Sequence, residues 1–133
     1  MTDADDQDRE VVDDREHVTI VREHREDAPD RYHVEDALEH LKAFVDVSKA
    51  RLYADVYQVV GGFREDKTGE RAVPPAVAAA REDVQMAYLT AQPTMSLEWT
   101  AGFFDEDEDV VRRYVRAVQD RAREQRASTD DDP

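Results

Sequence analysis

The sequence predicts an all-α fold, a small helical bundle of about four helices, on three observations. Apolar residues recur at three-and-four spacing from Val34 onward, Gly61-Gly62 and Pro74-Pro75 fall where one helix should stop and another start, and an acidic run at Asp105-Glu106-Asp107-Glu108 opens a last amphipathic stretch.

Before that body, residues 1–29 are dominated by Asp, Glu, Arg and His, with apolar content limited to Val11, Val12, Val18, Ile20 and Val21. So little apolar surface does not offset the entropy of ordering, which predicts a mostly disordered, mobile acidic N-terminal arm. The β-branched run 18–22 is the exception, suited to an edge strand or to packing onto the body.

The apolar series Val34, Ala37, Leu38, Leu41, Phe44, Val45, Leu52, Val56, Val59 and Phe63 predicts one long helix over 34–60, capped by Asp30 after Pro29 and stopped by Gly61-Gly62. A second stripe runs through Ala43, Val47, Ala50, Tyr53, Ala54 and Tyr57. A helix apolar on two sides needs two neighbours, and a second copy of the chain would supply one. Val47, Tyr53 and Tyr57 are therefore the candidate interaction residues of a homodimer, although the one-turn spacing of the two tyrosines suits packing against the Ala-rich helix equally well.

Residues 63–73 read as a polar loop turning at Asp66-Lys67-Thr68-Gly69. Pro74-Pro75 starts a helix over 76–91, which Pro93 ends. Thr94 or Ser96 caps a short helix through Leu97, Trp99 and Ala101 that closes at Gly102-Phe103-Phe104. The last helix turns Val111, Tyr114, Val115, Val118 and Ala122 inward, and 128–133 form an acidic tail. The expected organisation is an arm over 1–29, a helical domain over 30–127 and that tail.

Composition bounds habitat more than activity. Asp and Glu number 33 against 18 Lys and Arg, a net charge of -15, and the lysines are Lys42, Lys49 and Lys67 alone. At molar salt the Debye length is about 3 Å, so self-repulsion of this size is screened, and the acidity points to a halophilic cytosol. A chain of 133 residues is long enough for one core. The absence of cysteine excludes disulfides and thiol chemistry and fits a reducing interior. No export signal is legible in the acidic first ten residues, and runs such as 76–80 are too short to span a bilayer, so the expected location is cytoplasmic with no membrane contact.

Candidate chemistry is sparse. Beyond its acidic start the last helix holds Arg112, Arg113, Arg116, Arg121, Arg123 and Arg126 against Asp120 and Glu124. Arg112, Arg116 and Arg123 share a face and form a candidate patch for an anionic partner; the competing reading is that acids before bases match the helix dipole. Trp99, Phe103 and Phe104 are either an exposed docking patch or a cap on the core, and their share of the apolar area favours the cap. His17, His24, His33 and His40 have no pair spaced for one helix face and read as solvated. The acids at 105–109 lack the alternation and central Gly of a calcium loop, and Gly61-Gly62 lacks a phosphate-loop context. No catalytic, cofactor or metal residues are assigned. The expected function is a non-catalytic protein-protein interaction or assembly module, homodimeric or bound to another protein. The alternative is a nucleic-acid-binding regulator of helix-turn-helix order that uses the Arg-bearing last helix.

Three short stretches, Ala50-Arg51-Leu52-Tyr53-Ala54-Asp55, Ala76-Val77-Ala78-Ala79-Ala80-Arg81 and Gly102-Phe103-Phe104 before an acidic helix start, resemble small acidic all-helical haloarchaeal proteins of unknown function. That resemblance spans about 45–125. It implies the habitat and a helical fold, and no activity.

Overall fold

The computed structural model describes residues 9–15, 17–63 and 74–131. Among them four strands precede five helices: β1 (Arg9–Asp14), β2 (Thr19–Glu23), β3 (Arg31–Glu35), β4 (His40–Phe44), α1 (Val47–Val60), α2 (Pro75–Ala78), α3 (Glu82–Ala91), α4 (Leu97–Phe104) and α5 (Glu108–Asp131). The strands make one antiparallel sheet in the order β1-β2-β3-β4. The fold is α+β, which overturns the expected all-α bundle.

The correction begins in the segment expected to be a mobile arm. Val11 lies opposite Val21, and Ile20 opposite Val34, so three of the β-branched residues of 9–23 are spent on cross-strand pairs. The long helix over 34–60 is also overturned. Val34, Leu41 and Phe44 fit a helical spacing, but Asp36 folds the chain back between them: its carboxylate accepts from the Leu38 and Glu39 amides at 2.8 Å each, and its own amide donates to the Glu39 carbonyl at 3.0 Å. That Asx-type turn closes the β3–β4 hairpin. Phe44 then faces Tyr32 across the strands, with Ile20 and Val34 on the same inner face of the sheet.

Helix α1 starts at Asp46, not Asp30, because the Asp46 carboxylate accepts from the Ser48 and Lys49 amides. It stops at Gly61, whose φ of 81° is the left-handed conformation that glycine adopts without a Cβ clash. Both apolar stripes of α1 find neighbours within the chain, the sheet on one side and α3 with α5 on the other. The helix expected over 76–91 is broken between α2 and α3, where the Gln85 side-chain amide donates to the Ala78 and Ala80 carbonyls at 3.0 Å.

The core joins Ile20, Val34 and Phe44 of the sheet to Ala50, Tyr53 and Tyr57 of α1, Val84 and Tyr88 of α3 and Val118 of α5. Tyr114, expected inward, stands on the exposed flank of α5. Of the expected 63–73 loop only Phe63, buried against Tyr53 and Tyr57, is described; the Asp66-Lys67-Thr68-Gly69 turn lies outside the described residues. The segment expected to be a C-terminal tail continues α5 as far as Asp131. Among the described residues no helix is long and apolar enough to cross a membrane.

Candidate functional site

The residues expected to pair two chains are covered within one. Tyr53 has 0% of its surface exposed and sits amid Phe44, Phe63 and Tyr88, with ring centroids 5.3, 5.4 and 6.1 Å away. Tyr57 is buried too, its hydroxyl donating to Asp36 Oδ2 at 2.7 Å, and Val47 is half-buried in the first turn of α1. Within the chain, the stripe that carries Tyr53 and Tyr57 is a face that meets the rest of the core.

The arginine patch is divided. Arg112, Arg113 and Arg116 line a depression of about 460 Å³ together with Asp109, which accepts from Arg112 at 2.6 Å. Arg123 stands two turns, about 10 Å, further along the helix and donates to Asp120 at 2.6 Å. The first two members of the patch thus come together and the third pairs locally. In the expected helix-turn-helix order the Arg-bearing last helix, α5, does the binding; the eight residues of α4 before it include Glu98 and no Lys or Arg.

What α4 does present is aromatic. Ser96 caps it by accepting from the Trp99 amide at 3.1 Å, and the Thr100 hydroxyl bonds both the Ser96 carbonyl at 3.0 Å and the Thr90 hydroxyl at 2.9 Å. Asp105 closes the helix in the left-handed conformation at φ 56°, which Asp tolerates better than most side chains. With Ala101 and Phe104 turned toward Met86, Val111 and Val115, Trp99 and Phe103 are left 42% and 46% exposed. Their rings stack at 5.1 Å and 12°. The expected core cap is therefore served by Phe104, while Trp99 and Phe103 form a rigid patch on the surface.

The turn that aims α4 is held by two of the rare lysines. Lys49 Nζ donates to the carbonyls of Thr90, Gln92 and Met95 at 2.7, 3.0 and 2.6 Å, and Lys42 Nζ to Gln92 Oε1 at 2.6 Å. Burial holds the Lys49 ammonium below its usual pKa, partly offset by Asp46.

A second cluster went unseen in the sequence. His33 on β3 is 7% exposed, its Nδ1 2.9 Å from His40 Nε2 on β4 and its Nε2 2.8 Å from Glu23 Oε1 on β2. The hydrogen bond from His33 holds the Glu23 carboxyl below the usual carboxylate range. Burial, then the charge of His33, hold His40 below the usual imidazole value. Helical spacing was the wrong test for these histidines. The available signal was the alternation Arg31, His33, Glu35, which puts three polar side chains on one face of a strand.

Compared with models of known protein families, with curated proteins and with solved structures, the chain matches none.

Proposed function

We propose that this chain is a non-catalytic assembly module of a molar-salt cytosol that pairs with a second copy of itself through α4 and the first half of α5. The stacked Trp99–Phe103 pair carries the reading: two large rings on a capped helix, nearly half open to water. Covering the open part of each ring contributes on the order of 2 kcal/mol, and rigid aromatic anchors of this kind dominate protein interfaces.

Charge supports a self-pairing. Exposed acids from Asp105 to Asp109 precede exposed Arg112, Arg113 and Arg116 along one stretch. Two such stretches laid antiparallel about a twofold axis put the acids of each against the arginines of the other. At molar salt these pairs add little energy and chiefly fix register, leaving apolar burial as the driving term. The depression lined by Arg112, Arg113 and Arg116 favours nucleic acid as the second reading.

Light scattering in molar KCl is the test. The wild-type chain should scatter at twice 15.3 kDa, and Trp99→Ala with Phe103→Ala should scatter as a single chain with an unchanged circular dichroism spectrum. A wild-type mass of one chain overturns the reading. If that monomer retards duplex DNA and Arg112→Ala with Arg116→Ala abolishes the retardation, the second reading replaces it.

A further inference from the structure

We propose that His33 and His40 form a site for a divalent transition-metal ion of the zinc, copper and nickel class on the outer face of the sheet, with Glu23 orienting His33 from behind. Facing nitrogens 2.9 Å apart, His33 Nδ1 and His40 Nε2, share one proton between two lone pairs. Replacing that proton with a cation needs little movement, since two imidazole nitrogens on a tetrahedral zinc ion are about 3.3 Å apart. The β3–β4 hairpin supplies the rigidity: its backbone is paired on both sides of His33, and its turn is closed by Asp36.

Glu23 is the feature that separates this pair from an ordinary surface contact. Metal-bound histidines characteristically donate their remote N–H to a carboxylate, which fixes the tautomer and raises the basicity of the bound nitrogen. Here Glu23 Oε1 lies 2.8 Å from His33 Nε2, leaving Nδ1 as the ligand nitrogen. The near-complete burial of His33 locks its ring, while His40 is exposed and opens the site to an incoming ion. Among the described residues no three His, Asp or Glu side chains already converge as a ligand set, so water or a repositioned carboxylate completes the coordination. Glu35 is the nearest candidate: it is two residues from His33 on β3 and in register with His40, and its carboxylate now lies 3.9 Å from Arg9. Paired imidazoles select zinc, copper and nickel over magnesium and calcium, which prefer oxygen. His24 is engaged elsewhere, with Asp30 at 3.0 Å.

Calorimetric titration of the metal-stripped protein with ZnCl2 in molar KCl tests the site. One equivalent should bind to the wild type and none to His40→Ala, whose exposed position leaves the fold intact. Glu23→Gln should weaken binding about tenfold to a hundredfold, and His17→Ala with His24→Ala should leave it unchanged. With Cu2+ in place of Zn2+, electron paramagnetic resonance should show two coordinating nitrogens in the wild type and no protein-bound copper in His40→Ala. No binding by the wild type, or binding that survives in His40→Ala, overturns the proposal.

Discussion

Lys49 shows how much one side chain can hold. Its ammonium meets three carbonyl oxygens that belong to the end of α3, the following turn and the approach to α4. Three N–H bonds in tetrahedral array suit three carbonyls converging on one point; the flat fork of a guanidinium does not. In a chain where arginine outnumbers lysine, this geometry is a physical reason for lysine here. Lys49→Met should lose about 2 kcal/mol of stability, and Lys49→Arg should also destabilise, as read from urea unfolding at constant KCl. In the sequence Lys49 is visible only as a rare residue type. Its partners lie 41 to 46 residues away, and no local spacing encodes them. The same is true of Tyr53: that it is apolar and periodic was legible, but that Phe44, Phe63 and Tyr88 cover it was not.

At the level of elements, what could be read was what local chemistry encodes. The Gly61 stop of α1, the Ser96 cap of α4 and the inward face of α5 through Val111 and Val118 all follow from short-range rules. The strands depend on partners elsewhere in the chain, and their short apolar runs also satisfy a helical period. The deciding residues were two aspartates whose carboxylates bond the backbone amides just after them. Asp36 turns the hairpin, and Asp46 starts α1 twelve residues later than the periodicity begins at Val34. Asp46→Ala should therefore cost about 1 kcal/mol, measurable as a lower urea midpoint, while the same change at Asp30, the cap expected from sequence, removes an exposed contact to His24 and leaves α1 as it is.

Across the whole molecule, one buried ion cluster ties the β1–β2 turn to two helices. Asp55 of α1 accepts from Arg15 at 2.7 Å and from Arg126 of α5 at 3.4 Å, and Arg15 also bonds Asp13 at 2.9 Å. Desolvation outweighs both arginines and raises the Asp55 carboxyl above its ordinary 3.8. The folded state then takes up this proton before the unfolded state does. Its contribution to stability is fully present below pH 3.8, is lost as pH rises through the folded value, and opposes the usual acid destabilisation. Asp55→Asn, a neutral isostere of that favoured protonated carboxyl, should cost no more than about 1 kcal/mol at neutral pH and should lose the wild type's gain on acidification, as read from urea unfolding at two pH values.

The strand order β1-β2-β3-β4 follows the chain, so every pairing in the sheet joins segments adjacent in sequence. The loops to be closed are short, and the entropy of closing them is correspondingly small. During synthesis all four strands are complete before the first helical residue is made, yet their inner face has nothing to pack on until α1 follows. The hairpins therefore supply register early and cohesion late. The long-range closure belongs to the docking of α5, whose Arg126 reaches back 71 residues to Asp55. A ribosome-bound chain that ends short of α5 would hold Arg15 on Asp55 and lack Arg126, so that helix closes the ion cluster.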